Sequence, residues 1–316
     1  MFNLLQNEWM KIFKRPGTFV MMGILLVTIV LMGGIIKYEN QDVKANPDWQ
    51  QEIQTIVAEQ KQSLAQMENA AQGQRKYLEK SIAINEYRLD HNLAPNGEYA
   101  IWSFVQDASS LIQLAGLFTI IVAAGIVASE FNWGTIKLLL IRPTSRAKIL
   151  LAKYTTVISF SLLMLTLLFV FSSLVGWIAF GMPDKATPYL NYFDGKVTEE
   201  SMIFHLIKFY GLNSISMIML STMAFMISAV FRNSSLAIGL SIFLMFTGAQ
   251  FTNLIAMKFE WAKYILFANT DLMQYFEGMP LVEGMTLSFS VLMLVAYFVL
   301  FHSLAFFVFK KRDVAA

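Results

Sequence analysis

The chain has 316 residues, of which 56% are hydrophobic and only 15% charged, with 24 Lys and Arg against 22 Asp and Glu and no Cys. Soluble domains run at about 45–50% apolar and about 25% charged, so membrane insertion is the first expectation and a disordered chain is excluded. The missing Cys excludes a disulfide framework, thiolate metal sites and Cys nucleophiles, and a net charge of +2 speaks against a nucleic-acid partner.

In chain order, residues 1–16 come first. Leu4, Leu5, Trp9, Ile12 and Phe13 cluster on one helical face, with Lys11, Lys14 and Arg15 beside them. This pattern predicts a helix lying in the membrane interface, where anionic lipids favour the basic residues. Residues 17–36 form an uncharged apolar run. About 20 such residues cross a hydrocarbon core of about 30 Å. The run is too long for a signal-peptide core and lacks a small-residue cleavage site after it, so it is expected to be a retained anchor.

Residues 37–108 follow as a long polar loop. From Trp49 to Leu89 it holds one Gly, Gly73, and no Pro. Ile53, Val57, Leu64, Met67, Ala71 and Leu78 make one apolar stripe, with Gln60 and Gln74 at the remaining steps. The stripe predicts one long helix, or two broken at Gly73. It can pack on its own chain or, at near-heptad spacing, pair with a second copy.

Further spans are expected at 109–129, 155–180, 207–230, 235–257 and 286–309. None carries a charge at its centre, where each would cost about 2.5–3.5 kcal/mol on insertion scales. Lys208 lies at the edge of the fourth and can snorkel. Residues 181–206 form a loop. Residues 258–285 hold two apolar patches, Trp261–Phe267 and Leu272–Phe276, divided by Asn269–Asp271. Patches of that length predict a re-entrant or interfacial segment, a partial lid at the outer side. The expected fold is all-α: six transmembrane helices, an N-terminal interfacial helix and a helical extracellular loop between the first two spans.

Charge sets the orientation. Residues 1–16, 130–154, 231–234 and 310–316 contain 12 Lys and Arg and 3 acidic residues, whereas 181–208 and 258–285 contain 5 and 8. The positive-inside rule places the first set, and hence both termini, on the cytoplasmic side of the cell membrane. The loop 37–108 is too long to vote under that rule, but its 7 basic and 11 acidic residues agree. Trp9 and Trp133 then fall near the inner interface, Trp102 and Trp177 near the outer one.

The most informative segment is the loop 130–154, in which Lys137, Arg142, Arg146, Lys148 and Lys153 face one acid, Glu130. Gly134 permits a sharp turn. Thr135 to Ile141, including Ile136, Leu138 and Leu139, can form two helical turns with an apolar face. Pro143 stops them, and Thr144 or Ser145 can cap a new helix running into the third span. A short helix with apolar tips beneath the membrane suits either docking to another protein or contact with lipid.

The run Glu130, Gly134-Thr135, Leu138-Leu139-Leu140, Arg142-Pro143, Ser145-Arg146 and Lys148-Ile149-Leu150 closely resembles the cytoplasmic loop of permeases of the type-2 export class of ABC transporters. Phe267-Ala-Asn-Thr-Asp-Leu272 is similar to the external re-entrant segment of that family, and Phe309-Lys-Lys-Arg-Asp-Val314 to its C-terminal end. The order of all six spans fits, although the long first external loop departs from the shortest members. The resemblance implies a coupling helix seated in a groove of a separate ATP-binding subunit, and an exporter of two permease chains, identical or paralogous, with two such subunits. The implied docking residues are Glu130, Gly134, Thr135, Ile136, Lys137, Leu138, Leu139, Arg142, Pro143, Ser145 and Arg146. ATP and Mg then belong to the partner, and no cofactor or metal is expected in this chain.

None of the 17 Gly is followed by Lys-Ser or Lys-Thr, so no P-loop is present, and neither is a Gly-x-Ser-x-Gly or His-Glu-x-x-His motif. The chain itself is therefore not expected to be an enzyme. His91, His205 and His302 share no helical spacing. His302, inside the sixth span, suits hydrogen-bonded packing, with a metal site or a proton relay as the alternatives. Asn213, Ser216 and Met223 of the fourth span and Thr247, Gln250 and Asn253 of the fifth are candidates to line a translocation path, or small and polar residues that bond helices together. The expected function is export of a hydrophobic or amphipathic compound: an antimicrobial peptide, a drug or a lipid. An accessory or sensory protein whose external helices recognise a ligand is the alternative. An ion-driven transporter is disfavoured by the lack of carboxylates within the spans.

Overall fold

The computed structural model describes residues 1–40, 48–66, 72–94, 99–136, 144–183, 188–193, 195–276 and 280–311. Of the residues singled out above, Met67 and Ala71 of the apolar stripe and Lys137, Leu138, Leu139, Leu140, Ile141, Arg142 and Pro143 of the loop lie outside the described residues. The fold is an all-α polytopic membrane protein with six apolar helical segments long enough to cross a bilayer.

Helix α1 (Phe2–Phe13) is short and amphipathic. It ends at a corner where the Thr18 hydroxyl donates to the Ile12 carbonyl at 2.6 Å. Pro16 then opens the first span, α2 (Pro16–Glu39), at a position where its missing N–H costs nothing. The second span is compound: α5 (Ile101–Ala108), one turn of 3₁₀ helix (Ser109–Leu111) and α6 (Ile112–Asn132). It begins earlier than its apolar run suggests, because Ile101, Phe104 and Val105 are buried against the third span and its neighbours. The third span, α7 (Arg146–Phe180), extends nine residues beyond its apolar run at its N-terminal end. The remaining spans are α8 (Met202–Phe231), α9 (Ser234–Ala256) and α12 (Leu287–Lys311).

The second and fourth spans form the centre and pack most extensively on each other. Ala123, Ala124 and Ala128 are small enough to let the backbones approach. Hydroxyls then bond across: Ser228 accepts from the Ala128 N–H at 3.0 Å, Tyr154 and Thr222 pair at 3.0 Å, and Tyr210 donates to the Val105 carbonyl at 2.8 Å. The first and sixth spans lie outermost, with mostly exposed Val, Leu and Phe side chains.

Helix α1 and the last turn of α12 lie at one end of the bundle, here the terminal end, where Arg146 donates to the Lys310 carbonyl at 3.2 Å. The opposite, far end carries the polar segments. There α3 (Trp49–Gln66) and α4 (Gln72–Asp90) pack together over Ile53, Val57 and Ile82. Ile53, Val57 and Leu64 of the apolar stripe thus pack within this chain, and Gly73 lies in the first turn of the second helix. One element has no counterpart in the sequence reading: β1 (Tyr189–Phe193) and β2 (Lys196–Glu200) form an antiparallel hairpin. The Asp194-Gly195 dipeptide between alternating strands is its signal, and Gly195 takes the positive φ of 78° that such a turn demands. Helix α4 packs on this hairpin, with the Tyr87 hydroxyl donating to Glu199 at 3.3 Å.

The last polar segment folds into a turn of 3₁₀ helix (Glu260–Tyr264) and two single-turn helices, α10 (Leu266–Asn269) and α11 (Met273–Phe276). The Phe267 ring lies against Gly248 in the fifth span, so that a Cβ there would overlap the ring. The segment therefore dips below the end of α9.

Candidate functional site

Helix α1, the end of α6 and the first turns of α7 converge at the terminal end on four charges. Lys153 is 1% exposed. Its ammonium donates to Glu8 at 2.8 Å, to Glu130 at 2.9 Å and to the Ile126 carbonyl at 3.0 Å. All three of its N–H donors are used. Lys11 reaches the same two carboxylates, at 2.9 Å from Glu8 and 2.6 Å from Glu130. The second Glu130 oxygen accepts from the Thr135 hydroxyl. Two acids and two lysines leave the cluster neutral. An ion out of water is costly unless paired, and here each is paired twice. For Lys11, burial works against the charge, but its hydrogen bonds and attraction to Glu130 and Glu8 outweigh it and raise the pKa above the ordinary lysine value.

This cluster fixes where the loop leaves the second span. Gly134 turns the chain with φ of 69°. Arg15 stacks on the Trp133 ring at 4.9 Å, Arg232 on Phe131 at 4.5 Å, and Ile136 is buried at 3% exposure. On the return side Ser145, rather than Thr144, caps α7 by accepting from the Lys148 N–H at 3.4 Å. So Glu130, Thr135 and Ile136, named above as docking residues, turn inward and anchor the loop. Gly134 shapes it, and Ser145 and Arg146 hold its far side.

Sequence reasoning misses Glu8, although its signal is present: a carboxylate within the apolar face Leu4, Leu5, Trp9, Ile12. A charge on a buried face implies a buried counter-charge. Lys153, between Ile149-Leu150 and Tyr154, carries the same signal.

At the far end, the segment around Asn269 is a closed polar network. Asn269 is fully buried. Its amide donates to the Lys263 and Ile265 carbonyls, each at 2.8 Å, and accepts from Ser290 at 2.6 Å. Gln274 donates to the Ala268 and Asp271 carbonyls at 3.0 and 2.6 Å and accepts from the Leu281 N–H at 2.8 Å. Both amides thus use their two donors and their acceptor, which makes the segment a rigid cover on the fifth and sixth spans.

The six candidate path residues are not brought together. Met223 is buried in the core, and Asn213 donates to the Phe209 carbonyl of its own helix at 2.9 Å. Ser216 is half-buried. Thr247 is half-buried and bonds the Phe243 carbonyl at 2.8 Å, while Gln250 and Asn253 face outward. The histidines are also apart. His302 bonds the Phe298 carbonyl at 2.9 Å among Tyr154, Phe298 and Phe306. His205 stacks on Tyr189, and His91 on Tyr87. No group of three or more His, Asp or Glu able to hold a metal occurs among the described residues.

The chain is 50% identical over 317 residues to "Uncharacterized protein YhcI" of Bacillus subtilis (strain 168), covering all of both chains. It is 32% identical over 209 residues to "Uncharacterized membrane protein YdbK" of the same organism, covering 65% of this chain and 80% of that one. The family described as "Protein of unknown function (DUF2705)" matches residues 71–315, which include five of the six spans and the loop clamped at Glu130. On that match the chain belongs to the DUF2705 family.

Proposed function

We propose that this protein is the membrane-spanning subunit of an ATP-driven exporter in the cell membrane, with both termini cytoplasmic and a separate ATP-binding subunit docked on the loop between the second and third spans. The observation that carries this reading is the clamp of Glu8, Lys11, Glu130 and Lys153. A loop tied by paired buried charges to an interfacial helix and to the start of a 35-residue helix cannot move alone. Force on its tip is delivered to α1 and α7 together, which is what a mechanical coupling element requires. The likeness of residues 130–150 to the coupling loop of type-2 ABC permeases supports the same reading, as does the excess of Lys and Arg at that end. Nucleotide can shift the spans between inward and outward openings only through differential affinity of the docked subunit for the two states. The cargo that fits is hydrophobic or amphipathic.

A second reading, a sensor without transport, is favoured by one feature: the far-end unit of α3, α4 and the β-hairpin has its own small core around Ile53, Val57 and Ile82. Copurification in mild detergent separates the two. The exporter reading expects a P-loop ATPase to accompany the chain, with ATP hydrolysis altered by its presence. Leu139→Asp, which puts a charge on the apolar tip, is expected to abolish association while the protein still inserts. Normal association of that variant would overturn the docking assignment.

A further inference from the structure

The charge clamp has a groove beside it. Helix α1 lies against the start of α7, and two cavities of about 200 and 450 Å³ open between them, with Leu4 and Asn7 in the walls of both. Lys11 and Lys14 line the smaller cavity, Thr144 and Lys148 the larger.

The polar groups of this groove are largely unspent. Lys14 and Lys148 are exposed and make no ion pair among the described residues. Asn7 is half-buried, and its amide makes no hydrogen bond there. The Thr144 hydroxyl oxygen is buried and also lacks a partner. Buried polar groups are normally paired, so this one calls for a partner from outside the chain. The one carboxylate in the lining, Glu8, is already bound by Lys153 at 2.8 Å and by Lys11 at 2.9 Å. The uncompensated charge is therefore positive. Ammonium, hydroxyl and amide can all donate, which suits an oxyanion.

The rest of the lining is apolar. Ile149 is buried in the wall of the smaller cavity, while Met10 and Phe2, one beside each cavity, are exposed. Helix α1 is amphipathic, as a helix in the plane of the interface is, and α7 continues from the groove into its apolar run. A soluble anion would leave the apolar half of the groove unused. A molecule with an anionic head on acyl chains matches both halves.

We propose that the groove between α1 and α7 binds the headgroup of an anionic phospholipid, whose phosphate accepts from Lys148, the Thr144 hydroxyl and the Asn7 amide while its acyl chains leave over Leu4 and Ile149. A zwitterionic headgroup would bring its own cation against Lys14 and Lys148. The site differs from the diffuse attraction of basic residues to an anionic surface, which has no use for a hydroxyl or an amide. It rests neither on the exporter reading nor on which side the terminal end faces.

Full-length protein, freed of lipid in a neutral detergent, is titrated with phosphatidylglycerol, phosphatidylcholine or inorganic phosphate while the thermal midpoint is followed. Phosphatidylglycerol is expected to raise the midpoint saturably, and the other two to raise it little at the same concentrations. Lys148→Gln and Thr144→Val are each expected to raise the phosphatidylglycerol concentration for half the shift at least fivefold, with Lys148→Arg close to the parent. Neither side chain has a partner in the protein to lose, and the half-shift is read within each variant, so a changed starting midpoint does not mask it. Lys310→Gln, which removes an exposed charge at the same end but outside the groove, is expected to leave it unchanged. No response to phosphatidylglycerol, or an equal one to phosphatidylcholine, overturns the anionic headgroup. An equal response to inorganic phosphate overturns the lipid as its source. A half-shift unmoved by Thr144→Val or by Lys148→Gln, or moved as far by Lys310→Gln, overturns the site in favour of diffuse attraction.

Discussion

Lys153 sits within 3.0 Å of two carboxylates and a carbonyl, and none of these partners lies in its own helix. Removing one member of a buried ion cluster leaves an uncompensated charge at a cost of about 3–5 kcal/mol. Lys153→Met is therefore expected to lower the thermal midpoint in detergent by many degrees. Adding Glu130→Gln, which restores neutrality with Lys11 and Glu8, is expected to recover part of the loss. An equally stable Lys153→Met variant would mean that the cluster contributes nothing. Its pH dependence has a definite sign. The folded pKa of Lys11 lies above 10.5, so its contribution is complete below the unfolded value and fades only as pH rises through the folded one. Amide exchange across residues 2–13, corrected for intrinsic rates, is expected to show the same protection at pH 6 and pH 9. A loss of protection by pH 9 would contradict the raised value.

At the scale of elements, the far-end cover depends on one close approach. Phe267 occupies the space that a Cβ at position 248 would need. Gly248→Val is expected to push α10 off the fifth span and lower stability by about 1–3 kcal/mol, as overpacking does. Phe267→Ala in the same chain vacates the ring's volume and is expected to restore part of the stability. Additive losses in the double variant would show that the two residues do not meet. The helices of this protein are readable because the hydropathy of a 20-residue run is a local property: all six spans are visible in composition. The β-hairpin is readable too, from Asp194-Gly195 between alternating residues, but a search for helical periodicity passes over it. The pairing of α3 with α4 is open in sequence, since one apolar stripe serves a partner in the same chain or another equally well.

At the scale of the whole molecule, the distribution of charge predicts which end faces the cytoplasm. Single cysteines make this measurable. Trp133→Cys, at the terminal end, is expected to resist a membrane-impermeant maleimide in whole cells and to react in permeabilised ones. Lys196→Cys, in the far-end hairpin, is expected to react in both. The reverse pattern would invert the orientation and remove the loop at 130–154 from any cytoplasmic ATPase. The asymmetry of the bundle matters equally. Its centre is the second and fourth spans, and the outermost helices, the first and sixth, are strongly apolar.

Sequence alone determined the number of spans, their approximate limits, the basic end and the loop that punctuates it, because each rests on the length or charge of a continuous stretch. Only the tertiary structure decided that Glu8 and Lys153, 145 residues apart, share one buried cluster. It alone turned Glu130 and Ile136 inward and Gln250 outward. Which face of a helix is covered depends on how neighbouring helices cross, and that is set by side-chain packing summed over the whole bundle rather than by any local run of residues.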